Sequence, residues 1–222
     1  MNEMLGSTTD LKNIGVAEDL WRLRQALDVY CLISANCEAI KKVGVGQSFF
    51  GFLQISCVRL IILYIGRVFE KETLDKQGAV KYELNSIDGV LSAIDNEKAR
   101  VLKPDSIRAF AQKYGSGSDE DGLAAILAVV KTFREQNYEA SGFKTLRDKW
   151  VAHHESGFTS PYGPSYDHME RMCDFGKDLF ELVSRAFLRT SPADLNRDRQ
   201  VKRSLKGMLQ RLGCEEIKTD ME

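Results

Sequence analysis

The stretch SFFGFLQISCVRLIILYIGRVFEKE, residues Ser48–Glu72, is the most apolar part of the chain and decides the fold. Its uninterrupted apolar run, Leu60–Ile65, is far shorter than the ~20 residues that a membrane span needs. Arg59, Arg67 and Glu70 interrupt the longer window. A helix that is apolar on most sides is buried inside a larger protein. We therefore expect this stretch to form the central helix of a helical bundle, and we expect no membrane segment.

Other parts of the chain carry apolar residues at the spacing of amphipathic helices. Shorter helices are expected within residues 85–114. No stretch shows the apolar–polar alternation, bounded by turns, that is typical of a strand. The sequence therefore predicts an all-α fold, a four-helix bundle with extra short helices and a basic C-terminal helix. The four core segments are residues 18–42, 48–70, 123–155 and 165–189.

The chain divides into three parts by composition. Residues 1–17 are polar and predict a flexible N-terminus, residues 18–190 form the helical domain, and residues 191–222 form a helical extension. The extension and the end of the domain are rich in basic residues. This stretch either contacts phosphates or is a solvated helix that packs its apolar side on the domain or on a partner. The basic residues are Arg185, Arg189, Arg197, Arg199, Lys202, Arg203, Lys206 and Arg211.

Composition limits the classes of function. The chain has 222 residues, of which 43% are hydrophobic and 28% charged, as in a soluble globular protein. Its formal net charge of −1 provides no overall attraction to nucleic acid, so RNA contacts need a local basic patch. Five cysteines without a C-x-x-C pair indicate free thiols in the cytoplasm. The sequence shows no metal-ligand spacing, no phosphate-binding loop and no dinucleotide fingerprint, so we expect neither a metal nor a cofactor.

The stretch FKTLRDKWVAHHE, residues Phe143–Glu155, contains the candidate chemistry. If it is α-helical, at ~100° per residue, Arg147 lies in or beside an apolar stripe and His154 returns almost beneath it. His153 then lies at the edge of the stripe, and Asp148 points to one side. An arginine on an apolar face is costly unless it is paired or faces a cleft. The stripe consists of Phe143, Leu146, Trp150 and Val151.

Two features of the sequence resemble a known family. The pattern Arg147-Asp148-x4-His153 resembles the R-x(4–6)-H motif of HEPN domains, and LRDKWVAH is most similar to the abortive-infection branch of that superfamily. An apolar helix that ends in an arginine, apolar residues and an acid, here residues 67–70, is a second similarity. Arg67 and Glu70 are also spaced to form a pair within their own helix. The resemblance extends over about residues 18–190.

The resemblance implies a metal-independent endoribonuclease, acting as a toxin or in phage defence. In such an enzyme the ribose 2′-hydroxyl is the nucleophile, His153 is the general acid or base and Arg147 stabilises charge on the phosphate. Asp148 orients one of them. Helical geometry alone favours His154 as the partner of Arg147, so both histidines remain candidates. The resemblance also implies a homodimer with facing motif helices and an antitoxin or other defence partner.

Two alternatives remain open at this stage. The domain can be a HEPN module without catalysis that binds a nucleotide, an RNA or a protein in a defence or toxin–antitoxin system. Arg147, Asp148 and the histidines can instead form a satisfied polar network whose role is structural. A structural network predicts that replacing its members lowers stability, whereas a nuclease site predicts loss of activity without loss of folding.

Overall fold

The computed structural model describes residues 8–71, 86–94, 99–115, 122–152, 164–184, 200–214 and 216–219. Within these ranges the chain forms helices and turns and no strand, which confirms the predicted all-α fold. Two segments, Arg134–Glu139 and Arg147–Ala152, have π-helical bonding and directly continue α-helices that end at Phe133 and Leu146. The helices are α1 (Thr8–Ala35), α2 (Cys37–Val43), α3 (Gln47–Phe69), α4 (Ile87–Ser92), α5 (Pro104–Tyr114), α6 (Gly122–Phe133), α7 (Phe143–Leu146), α8 (Tyr166–Ser184) and α9 (Gln200–Arg211).

Helix α3 lies at the centre of the bundle. It packs along α1 and also contacts α4, α7, α8 and the π-helical segment Arg147–Ala152. Ile61, Ile65 and Phe69 are fully buried. Its length and apolar composition also meet those of a membrane span, but its buried side is covered by the other helices of the domain. The prediction of a central bundle helix that is buried on most sides holds for residues 61–69, whereas Phe52 and Ile55 in the first half of α3 are exposed.

Aromatic side chains fix the end of α3 against α6 and α8. Phe133 and Phe175 stack with ring centroids 3.7 Å apart, and Phe69 lies against both. All three rings are fully buried. Because Phe69 is the last residue of α3, this packing also determines where the next residue, Glu70, leaves the core.

The first helix differs from the sequence prediction at both ends. It begins at Thr8 rather than near residue 18, and Val16, which the composition places in the N-terminal segment, is buried in the core. The predicted long helix is also divided, since a break at Asn36 separates α1 from α2. The Asn36 amide donates to the carbonyl oxygens of Leu32 and Lys218, and its own oxygen accepts from the Lys218 N–H.

The C-terminal helix α9 packs on α1. Leu205 and Leu209 are buried, whereas Met208 is partly exposed. This is the arrangement expected of a helix that docks its apolar side on the domain. The basic residues between Arg185 and Arg199 lie outside the described residues.

Replacing Asn36 by alanine is expected to destabilise the protein. The change removes three hydrogen bonds and leaves backbone groups at the α1–α2 break without their partner, so the free energy of unfolding should fall by about 1–3 kcal/mol. Urea unfolding measures this loss. Ser56→Ala is the matched control, because Ser56 bonds only to the Phe52 carbonyl on an exposed helix face. Equal stabilities for both variants would contradict the bridging role of Asn36.

Candidate functional site

The segment that carries the candidate chemistry lies against α3 in a π-helical conformation. Residues Arg147–Ala152 follow α7 without a break and contact α3. A π-helix closes i→i+5 hydrogen bonds, so each turn holds more residues than an α-helical turn. The side-chain directions predicted at ~100° per residue are therefore wrong for this segment. Which residues it brings together has to be taken from the contacts themselves.

Arg147 is held by two carboxylates. Its Nη1 and Nη2 atoms donate to the two oxygens of Glu70 at 2.6 and 3.0 Å. Its Nε and Nη2 atoms lie 2.8 and 2.7 Å from one oxygen of Asp148. Glu70 follows the end of α3, whereas Asp148 is the next residue of the π-helical segment. The arginine therefore joins the end of the central helix to the motif segment.

This arrangement uses most of the hydrogen-bonding capacity of Arg147. A guanidinium has five N–H donors. Three of them donate to Glu70 and Asp148, and Nη2 also lies 2.7 Å from Asp148, so among the described residues the second N–H of Nη1 remains for another acceptor. Burial acts to lower the pKa of Arg147, but the bonds from Glu70 and Asp148 outweigh it and raise that pKa above its usual value. The guanidinium is permanently charged. Its two terminal nitrogens, which the sequence predicts to bind an anion, donate to Glu70 in the single chain.

Gly66 provides the space for this arginine. A Cβ atom at Gly66 would lie 2.7 Å from Cδ of Arg147 and 3.4 Å from its Nη1. The Arg147 side chain therefore crosses α3 directly over the glycine backbone on its way to Glu70. A glycine inside a buried helix costs stability relative to alanine, so its presence here is explained by the arginine.

Tyr138 lies beside the Arg147 cluster and has an unused hydroxyl group. Its ring stacks on Phe69 and on Phe143 at 6.2 and 6.3 Å. The hydroxyl oxygen is buried and has no hydrogen-bond partner among the residues that the structure describes. Burial raises the pKa of Tyr138 to about 12, while the charges of Arg147 and Glu70 act on it in opposite directions. Tyr138 is therefore a neutral donor next to the candidate site.

Of the predicted site residues, the structure brings Arg147 and Asp148 together. His153 and His154 lie outside the described residues. The third histidine, His168, contacts the Asn137 carbonyl oxygen through Nε2 at 2.9 Å and meets the edge of Phe143. Among the described residues, no group of three or more His, Cys, Asp or Glu side chains is arranged to hold a metal ion.

The contacts of Glu70 correct one expectation and add a residue to the site. The spacing of Arg67 and Glu70 predicts a pair within α3, but Arg67 instead contacts the buried carboxylate of Asp19 at 3.1 Å. Glu70 is free to bind Arg147, 77 residues further along the chain. The sequence signal for this role of Glu70 was its position as the acid that follows the apolar helix. No sequence pattern pointed to Tyr138.

The apolar central helix and the arginine segment both lie in the part of the chain that matches a known family. The model of the HEPN AbiU2 family matches residues 17–204, most of the chain. The chain belongs to this HEPN family. The resemblance to the abortive-infection branch is thus confirmed, and the protein is a HEPN module of the abortive-infection or toxin-like kind. Neither the search of curated proteins nor the search of solved structures gives a match.

In this HEPN domain, Gly66→Ala is expected to displace Arg147. The new methyl group would meet Cδ of Arg147, so the bonds to Glu70 would lengthen or break. We expect the free energy of unfolding to fall by about 1–3 kcal/mol, because crowding in a packed site outweighs the better helix propensity of alanine. Urea unfolding of the purified variant measures the change.

Gly51→Ala is the matched control for this experiment. Gly51 lies in the same helix, and a Cβ atom there would have nothing within 4 Å. That variant should gain roughly 0.5–1 kcal/mol from helix propensity alone. A Gly66→Ala protein that is stabilised as much as Gly51→Ala would refute the crowding at Arg147.

Proposed function

We propose that this HEPN AbiU2 domain is a metal-independent endoribonuclease. The observation that carries the proposal is the fixed orientation of Arg147, the first residue of the R-x(5)-H motif, between Glu70 and Asp148 at the edge of the bundle. The cost of desolvating a partly buried ion pair offsets most of its electrostatic attraction, so such a pair contributes little to stability. Strongly perturbed charged clusters of this kind are frequent at functional sites. Family membership supplies the reaction class.

The proposed reaction is an internal transesterification. A histidine accepts the proton of the ribose 2′-hydroxyl as that oxygen bonds to phosphorus, and the bond from phosphorus to the 5′ oxygen breaks. The products are a 2′,3′-cyclic phosphate and a 5′-hydroxyl, which takes up a proton from a general acid. His153 is the first candidate for proton transfer and His154 the second. Arg147 stabilises the charge that develops on the phosphate oxygens.

Glu70 and Asp148 position the arginine in this scheme. Their side chains are 30% and 43% exposed, compared with 15% for Arg147, so a ligand approaches the cluster from their side. The phosphate then takes the remaining Nη1 N–H of Arg147 or exchanges with one carboxylate. The sequence left open whether Asp148 orients the histidine or Arg147. In this scheme Asp148 orients Arg147.

The assembly proposed for this activity is a symmetric homodimer. Next to the motif segment, α3 exposes large apolar side chains, and Trp150 and Val151 are only partly covered by the core. A second copy on this face buries these groups and supplies a second arginine and a second pair of histidines. We further propose that the dimer acts on RNA in the cytoplasm and is controlled by an antitoxin or another defence partner. The exposed residues are Phe49, Phe52, Ile55 and Leu60.

The second candidate function is a HEPN module that binds RNA, a nucleotide or a protein without catalysis. The occupied fork of Arg147 favours it, because Glu70 and Asp148 already accept three hydrogen bonds from the guanidinium. In that case the Arg147 cluster contributes to stability, and its loss affects folding first. The two candidates therefore differ in the balance between activity and thermal stability.

We expect the wild-type protein to cut single-stranded RNA in EDTA. His153→Ala should lower the rate by about 10²–10⁴-fold, because it removes the proton-transfer group. Arg147→Lys keeps the charge but loses the planar fork, so it should also lower the rate strongly. Cleavage of a labelled RNA and thermal melting are measured on the same samples, with melting unchanged for His153→Ala.

His154→Ala is the control that assigns the histidine. If it is inactive while His153→Ala cuts RNA, the acid–base role belongs to His154 and the reaction class is retained. A wild-type protein that never cuts RNA, together with variants that melt early, favours the module without catalysis.

Light scattering should give a particle of twice the 25.0 kDa chain mass at micromolar concentration. Phe52→Glu places a charge on the proposed interface and should yield monomers, since burying an unpaired charge is unfavourable. Val101→Glu is the control, because Val101 is similarly exposed but is not on α3. A monomeric wild type contradicts the dimer.

A further inference from the structure

Among the described residues, Arg59 differs from the other arginines of the site because no carboxylate there pairs with it. Its guanidinium carbon lies 5.5 Å from the centre of the Trp150 ring, and its Nε atom is buried with no hydrogen-bond partner in the described part of the chain. We infer that Arg59 is a phosphate-binding residue of this site and holds the backbone of single-stranded RNA beside Arg147. This inference rests on the proposed action on RNA and names the group that binds it.

The geometry places Arg59 next to the motif segment. Arg59 and Gly66 are seven residues apart on α3, so they share one face of the helix and are separated by ~10 Å along its axis. The Arg147 side chain crosses Gly66, whereas Trp150 lies beneath Arg59. The motif segment therefore runs along α3 from Arg147 toward Arg59.

The charge balance favours Arg59 over Arg147 as the first anchor for an anion. Arg147 carries one positive charge and contacts two carboxylates, Glu70 and Asp148, so that cluster has a net charge of −1. Arg67 is likewise paired with Asp19. Within the part of the chain that the structure describes, no ion pair involves Arg59. Its charge is available to a phosphate that the Arg147 cluster alone would repel.

The contact with Trp150 holds the guanidinium for this role. A cation within about 6 Å of an aromatic ring centroid is attracted by the ring, and the Arg59 guanidinium carbon lies 5.5 Å from the Trp150 centroid. This contact reduces the rotamer freedom that is lost on binding. Because the Nε atom is buried, a phosphate contacts the terminal Nη atoms of the guanidinium.

The binding experiment uses a nuclease-resistant probe, a 2′-O-methyl RNA 12-mer without secondary structure. The chain has two tryptophans, so a Trp21→Phe background leaves Trp150 as the fluorescent reporter beside Arg59. Titration at several salt concentrations gives the dissociation constant and its salt dependence. Arg59→Gln should bind about tenfold more weakly, with a slope of log K against log salt that is shallower by about 0.7, the value for one phosphate contact on a single strand.

Two further variants control for charge and folding. Lys42→Gln removes an exposed positive charge outside the site and should bind the probe as the wild type does. Arg59→Lys keeps the charge but loses the planar guanidinium, so we expect intermediate affinity and a wild-type salt slope. Thermal melting establishes whether each variant is folded. If Arg59→Gln is not folded, the affinity of Arg59→Lys for the probe is compared with that of the wild type instead.

The outcomes separate this inference from the proposed nuclease activity. Wild-type protein that binds the probe through Arg59 but does not cut unmodified RNA refutes the nuclease and leaves the role of Arg59 in place. Arg59→Gln protein that binds as tightly as the wild type overturns the role of Arg59, whether or not RNA is cut. A wild type that fails to bind at low salt also overturns it. A change of oligomeric state with unchanged RNA binding assigns Arg59 to a protein interface instead.

Discussion

The ion pair between Arg147 and Glu70 is the contact on which the site depends. It joins residues 77 positions apart in the chain and fixes the motif segment to the end of the central helix. The pair forms because Phe69 is anchored among buried aromatic rings and Gly66 leaves room for the arginine side chain. The core packing of α3 therefore also determines where the charged group lies, because the residues responsible for both are on consecutive turns of that helix.

The same contact determines the electrostatic character of the site. Two carboxylates surround one guanidinium, so the cluster in the single chain carries a net negative charge and does not attract an anion by itself. A substrate with a phosphate needs positive charge from elsewhere, and the π-helical segment holds Trp150 where α3 presents Arg59. The site thus separates an arginine that two carboxylates position from an arginine that pairs with no carboxylate among the described residues.

The fold could be predicted from sequence because it depends on composition and period. The apolar run of α3 and the short helices expected within residues 85–114 are local signals, and the structure has helices in both places. The site could be predicted less completely from the sequence. An assumed α-helical period cannot reveal the π-helical turn at Arg147, and sequence spacing favoured an Arg67–Glu70 pair because nothing local reports that Asp19 is the nearer partner of Arg67. Tyr138 was missed because its proximity to Arg147 arises only from tertiary packing.

The π-helical turn also bears on how HEPN motifs are compared between sequences. Such a turn accommodates one residue more than an α-helical turn over a similar length of backbone. A protein with one residue fewer between its arginine and its histidine can therefore replace the wide turn by an ordinary one and keep its flanking helices in place. A difference of one intervening residue between two motifs can then correspond to a difference of local helix type. Alignments that treat such a difference as a gap would misplace residues such as Trp150, which contacts Arg59 on α3 in this protein.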